Sequence, residues 1–431
     1  MIKEILKAII PTSITTLFTG IYIIIDGLFI GQKMGELGLA AINIAWPIAA
    51  FIQSLGVALG TASGIFISYY RGKNDQEKIK KILTNSIFVL LFFTLISMSI
   101  IFYKENLLIL IGGSEDTLPL AKEYITMIIY SSIIEIASGM IVGIMRNFTH
   151  YKSTAIILLT STLVNFLLDY LFIIVLPLNL FGAALASIIS QIVTIISSLI
   201  ILIIYKNLKF SKSFDIKLIF KILLKGIAPF ILTYSASFII ILYNLFCYNH
   251  GGNEAVAAYT VVAYIVYVAQ YISIGISDGI QPILTYHYSI NDKNLNKYFY
   301  KTLAILVSLL LILSLIFNFI PRPLANLFNV NGKAKDYFIE SFYYFVWAFI
   351  FIGTVRIYAS RFYSTNEEAK ANIIVLIEPI ITPIFLFILT IFLNTKGIWL
   401  SFLIIQIILA ISSIIISRFN IKVFSLKSME E

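Results

Sequence analysis

Residues 156–176 read IILLTSTLVNFLLDYLFIIVL, and the character of the whole chain follows from this stretch. Its twenty-one residues are apolar on every helical face and match the roughly 20 residues that an α-helix needs to cross a bilayer. A transmembrane β-strand would alternate apolar and polar side chains over about 10 residues, which this run does not do. It also carries Asn165 and Asp169, four residues apart and so on one helical face. Outward from it, the other segments repeat the pattern. Hydrophobic side chains make up 59% of the 431 residues and charged ones only 12%, against roughly 25% charged in a soluble domain. The expected class is all-α integral membrane.

Apolar stretches fall at about 9–31, 44–70, 82–102, 121–146, 153–175, 181–205, 219–248, 256–288, 300–320, 337–361, 371–393 and 397–417. Twelve transmembrane helices place both termini on one side. Lys and Arg concentrate in the loops of that side, from Lys3 and Lys7 through Lys78, Lys209 and Lys297 to Lys422 and Lys427, which the positive-inside rule makes cytoplasmic. The first stretch is too long for a signal peptide, carries Asp26 and lacks a small-residue cleavage site, so it is expected to stay as the first span of a multi-pass protein of the plasma (cytoplasmic, or inner) membrane. The net charge of +9 sits in short loops with no aromatic-interleaved basic face, which argues against nucleic acid as a partner and leaves the bilayer as the surface met. The single cysteine, Cys247, excludes an internal disulfide and a cysteine-based metal site.

Residues 206–221, KNLKFSKSFDIKLIFK, form the longest basic polar stretch and divide the spans six and six. Across this divide the chain repeats itself at an offset of roughly 217. GELGLAAIN (35–43) resembles GNEAVAAYT (252–260), and YYRGKND (69–75) resembles YHYSIND (286–292). Pro11 precedes Asp26 as Pro229 precedes Asn244, and FGAALAS (181–187) faces KGIWLSF (396–402). Two six-helix lobes are therefore expected, 1–205 and 219–431 with a cytoplasmic basic linker at 206–218. Having an even number of spans each, they would be parallel repeats with pseudo-twofold symmetry about the membrane normal, as in secondary transporters.

A carboxylate at the centre of a bilayer helix costs about 2.5–3.5 kcal/mol on insertion scales and is a functional candidate by default. Asp26 is one, and Asp169 with Asn165 is a half-shell of oxygen ligands suited to a small hard cation. Glu135 in SSIIEIASG and Glu378 in LIEPIITP are candidates for contacting cationic substrates, Glu378 with Arg356 as an alternative ion-pair partner. Tyr243, Tyr259, Tyr264, Tyr267, Tyr271, Tyr343 and Tyr344 offer rings either to cations or to the interfacial belt, and Trp46 and Trp399 fit the belt. His150, His250 and His287 sit at span ends without metal-site spacing. With no catalytic constellation and no Gly-Lys-Ser phosphate loop, neither an enzyme nor an ATP-driven pump is expected.

PTSITTLFTGIYIIIDGLFIG (11–31), LAAINIAWP (39–47), NFLLDYLFI (165–173), FGAALASIIS (181–190) and GISDGIQPI (275–283) together resemble the multidrug and toxin extrusion (MATE) family over nearly the whole chain, most closely its prokaryotic branch named for DinF. The resemblance implies a V-shaped pair of lobes that exports cationic, amphipathic small molecules in exchange for inward Na⁺ or H⁺, with no cofactor beyond the transported ion. It implies a cation-coupling site at Asp26, Asn165, Asp169 and Ser187, the last in place of a more usual threonine, with these residues as the Na⁺ ligands if Na⁺ is the ion. Pro11 would be the conformational switch. Asp278 stands where a neutral glutamine is expected and adds a candidate substrate contact in the second lobe. Two carboxylates in one pocket would let a proton compete with Na⁺. Each chain contains both lobes, so a monomer can be complete. The rival expectation is a lipid-linked oligosaccharide flippase of the related superfamily, disfavoured because its cavity should display arginines.

Overall fold

The computed structural model describes residues 1–176, 178–328 and 330–419, apart from the side chains of residues 22–25, 28, 36 and 253; Lys422 and Lys427 lie outside the described residues. Among the described residues eleven helices are long and apolar enough to cross a membrane, and one bent pair completes the expected twelve. Span one is the helix up to Gly35, and span two is Leu37–Gly72. Span three is Gln76–Phe102, span five Tyr151–Val175 and span six Asn179–Ile204. Spans seven to nine are Ile216–Gly252, Glu254–Ser289 and Leu295–Asn318. Spans ten to twelve are Gly332–Ser364, Glu368–Leu393 and Thr395–Arg418. Span four is two helices, Leu118–Tyr130 and Ser132–Asn147, bent by 58° at Ser131. Hydropathy runs through this break unchanged, so the apolar pattern at 121–146 gives no sign of it.

The repeat is written into the turns. Gly35 (φ 61, ψ −153) and Gly252 (φ 65, ψ −161) interrupt otherwise continuous helices at the ends of spans one and seven, in a backbone region that essentially only glycine occupies. Asn74 and Asn291, Thr149 and Asn366, and Asn179 and Asn394 follow as matched pairs of left-handed residues. Counted back from Gly35 and Gly252 through unbroken helix, Asp26 corresponds to Tyr243 and not to Asn244. The proline pair suggested the neighbouring register because Pro11 and Pro229 are themselves one residue out of step.

The chain packs as two units. The first comprises Met1–Leu17, Ser235–Leu284 and Lys293–Glu431; the second comprises Phe18–Tyr234 and Thr285–Asp292. In the first unit, the start of span one lies on span eight, where a Cβ at Gly275 or Gly279 would strike the backbone of Ser13 or Ile9, and Thr16 Oγ1 donates to the Tyr271 carbonyl at 2.8 Å. In the second unit, the start of span seven lies on span two, with Phe51 edge-on to Phe230 and Tyr234. Small residues set the closest crossings, as expected where lipid removes the hydrophobic drive between helices. Gly56 and Gly60 of span two meet Ile136, Gly139 and Gly143 of span four with no room for a Cβ. At the repeat-related crossing of spans eight and ten, Ser360 Oγ donates to the Ser277 carbonyl at 3.1 Å.

Candidate cation site

Span five is helical through Asp169 and then widens into a π-helical turn, Tyr170–Val175. Such turns cluster at functional sites because they rotate the following side chains and loosen the local ladder. Asn165 and Asp169 point inward, 2% and 1% exposed. With its amide oriented to suit both neighbours, Asn165 donates through its nitrogen to Asp169 Oδ2 at 3.0 Å and accepts from the Ser187 backbone N–H of span six at 3.2 Å. Ser187 therefore joins the group through its backbone. Asp26 of span one is close enough to Asp169 for the two charges to act on each other directly. The structure thus gathers Asp26, Asn165, Asp169 and Ser187 within one packing unit.

Two carboxylate oxygens in this group, Asp26 Oδ1 and Asp169 Oδ1, are buried and have no hydrogen-bond partner among the described residues. A buried acceptor left unmatched costs about 1–3 kcal/mol, and more when it is charged. Repulsion between the two carboxylates adds to that penalty. A proton or a small cation placed between them would relieve both.

Three further residues complete the surroundings. Glu135 begins the second half of the broken span four, is 8% exposed, and accepts a hydrogen bond from Gln191 of span six. Gln191 stands one helical turn after Ser187 and keeps a buried Oε1 without a partner among the described residues. Tyr124, buried in the first half of span four, lies within reach of the charges of Asp26, Glu135 and Asp169 together. Sequence reasoning singled out Glu135 but neither Tyr124 nor Gln191. Gln191 could have been found from its i+4 spacing to Ser187. Tyr124 is one of 25 tyrosines and carries no comparable mark.

The remaining candidates lie in the other unit. Glu378 is half-buried on span eleven, accepts from Gln406 Nε2 of span twelve at 2.7 Å, and feels the charge of Arg356. Asp278 sits on span eight beside Gly279, at the crossing with span one. Pro11 lies in span one without breaking it, and its carbonyl accepts from Thr15 Oγ1 at 3.1 Å. Thr12 and Thr16 likewise return hydrogen bonds to the preceding turn, a habit that bends helices slightly. Among the aromatics, Tyr243 and Tyr259 are core residues stacked at 5.4 Å, while Tyr264, Tyr267 and Tyr271 run along span eight with rings 6.3 and 6.2 Å apart. Trp399 is fully buried against Phe345, which corrects its expected place in the interfacial belt. The aromatic core of its unit outcompetes the membrane surface for so large a side chain.

Comparison with known proteins agrees with this architecture. A family model described as MatE matches twice, once in each half, at residues 11–171 and 227–386. The multidrug export protein MepA of Staphylococcus aureus (strain MRSA252) is 24% identical over 423 residues, 96% of this chain and 93% of its own. The MepA of Staphylococcus saprophyticus is 23% identical over 414 residues, covering 94% and 91%. Among solved structures, a MOP superfamily transporter from Pyrococcus furiosus, reported with a binding pocket of reverse polarity, superposes with a TM-score of 0.90 at 20% identity, covering 96% of this chain and 95% of that one. An outward-facing multidrug resistance MATE family transporter superposes at 0.88 and 20% identity, covering 96% of both chains. The fold is the MATE fold, and this chain belongs to the MatE family, transporters rather than enzymes.

Proposed function

We propose that this protein exports cationic, amphipathic small molecules in exchange for inward-moving Na⁺ or H⁺, cycled through Asp26, Asn165, Asp169 and Ser187. The observation that carries the reading is the pair of buried, unmatched oxygens, Asp26 Oδ1 and Asp169 Oδ1. Uptake of a proton or of Na⁺ satisfies them, and release restores the penalty, so the pocket has two states separated by one cation. Ligands for Na⁺ would be these carboxylate oxygens with the Asn165 amide oxygen, which the Ser187 backbone N–H orients. No other cofactor is required. Glu135 is the proposed first contact for an organic cation. Tyr124, within reach of the charges of Asp26, Glu135 and Asp169, would link the substrate contact to the coupling pair. Glu378 and Asp278 would supply substrate contacts in the second half.

The residues 1–205 and 219–431 would act as the two lobes, with Pro11 as a bending point in span one. Both termini are proposed to be cytoplasmic in the plasma membrane, with one chain sufficient for transport. The relatives named as multidrug exporters support the substrate class. The test is efflux of a fluorescent organic cation from proteoliposomes, with a Na⁺ gradient and a pH gradient imposed separately. Efflux driven by either gradient is expected and identifies the ion. Movement of lipid-linked sugars with no response to cationic dyes would contradict the proposal.

A further inference from the structure

The segment joining spans six and seven is strapped to the end of span three. Thr84 Oγ1 donates to the Ser211 carbonyl (3.0 Å) and accepts from the Ser211 N–H (2.9 Å). Asn85 continues the pattern, donating through Nδ2 to the Ser213 carbonyl (3.3 Å) and accepting at Oδ1 from the Asp215 N–H (2.9 Å). Phe214 packs edge-on against Phe88, with centroids 5.0 Å apart. These contacts fix the segment in place against span three.

What the strap displays is basic and apolar at once. Lys206, Lys209, Lys212 and Lys217 are exposed. Between them Phe210, Phe214 and Ile216 remain 55%, 60% and 69% exposed despite the anchoring. The one acid of the segment, Asp215, is committed to capping span seven, accepting from the Leu218 N–H at 3.1 Å. Because the segment links the ends of two membrane-crossing helices, it lies at the depth of the lipid headgroups. Each lysine near an anionic membrane surface is worth about a fivefold factor in binding. Interleaved phenylalanines add burial at the headgroup and acyl boundary, which a soluble anion could not use.

We propose that residues 206–221 form a binding surface for anionic phospholipid headgroups, the lysines meeting phosphates and Phe210 and Ile216 seated among the upper acyl chains. This goes beyond the transport reading and does not rest on it. Native mass spectrometry of the full-length protein, released from mixed micelles of phosphatidylglycerol and phosphatidylcholine, tests it. Wild type should retain phosphatidylglycerol over phosphatidylcholine by at least about tenfold at low salt. The combined variant Lys206→Gln, Lys209→Gln, Lys212→Gln and Lys217→Gln should fall to near parity. An equal-charge control, Lys3→Gln, Lys7→Gln, Lys293→Gln and Lys297→Gln, should keep the preference.

The hydrogen bonds of the strap use none of the four lysine side chains, so the linker variant should elute as folded protein. Should it misfold, Phe210→Ser with Ile216→Ser serves in its place and should lower the preference several-fold. No preference in wild type, equal loss in the linker and control variants, or displacement of the lipid by inorganic phosphate would each overturn the proposal.

Discussion

The two halves of the chain share a backbone plan and put opposite chemistry at the same place in it. Where the first half has Asp26, Asn165, Asp169 and Ser187, the repeat places Tyr243, Thr382, Leu386 and Phe402. Tyr243 stacks on Tyr259 and hydrogen-bonds Ser401 at 3.0 Å, and Phe402 stacks on Phe345 with centroids 4.2 Å apart. The first half leaves buried carboxylate oxygens unmatched; the second closes the equivalent space with rings. Gln191 and Gln406 are repeat mates as well, and each donates to a glutamate, but that glutamate is the buried Glu135 of span four in one half and the half-buried Glu378 of span eleven in the other. Duplication supplied the scaffold, and among the described residues it is the first copy that sets together two carboxylates acting on each other, each with an unmatched buried oxygen.

Three substitutions, two of them set beside a repeat-related control, probe the contrast in falling order of expected effect. Gly143→Leu forces a branched side chain into the backbone contact with Gly60 and should prevent folding, read as loss of a monodisperse peak on size exclusion. The repeat-related Ser360→Ala should elute as wild type, since one interhelical hydrogen bond in a membrane is worth on average about 0.6 kcal/mol. Phe402→Ala opens the aromatic plug and should lower stability by about 3–5 kcal/mol, measured as a drop in unfolding temperature, while gradient-driven efflux persists in the folded fraction. If efflux is lost while the protein stays stable, the second half does more than pack. Asn165→Ala should leave stability within about 1–3 kcal/mol of wild type yet weaken coupling, because it strips Asp169 of its donor. Thr382→Ala is the matching control: the Thr382 hydroxyl only returns to the Glu378 carbonyl one turn back, and its loss should leave efflux unchanged.

Much of this was legible in the residues. Twelve spans follow from hydropathy because the bilayer demands length and apolarity locally, and the duplication follows because turn residues such as Gly35 and Gly252 keep a spacing that helices cannot hide. Asn165 and Asp169 were legible as a pair since i and i+4 share a face. The break at Ser131 was not, because apolar composition continues across it. Tyr124 was not, because its partners lie on other helices far away in sequence. Trp399 was misplaced for a related reason: an aromatic at a span end looks the same in sequence whether it faces headgroups or, as here, the ring of Phe345.

The central claim is that coupling resides in the first half alone. It is tested most directly by measuring uphill and downhill transport of one fluorescent cation in the same vesicles, for Asp26→Asn, Asp169→Asn and Glu378→Gln. Loss of uphill transport with downhill movement retained is predicted for the two aspartate variants, and uphill transport with weakened substrate affinity for Glu378→Gln. Uphill transport surviving in either aspartate variant, or lost only in Glu378→Gln, would contradict it.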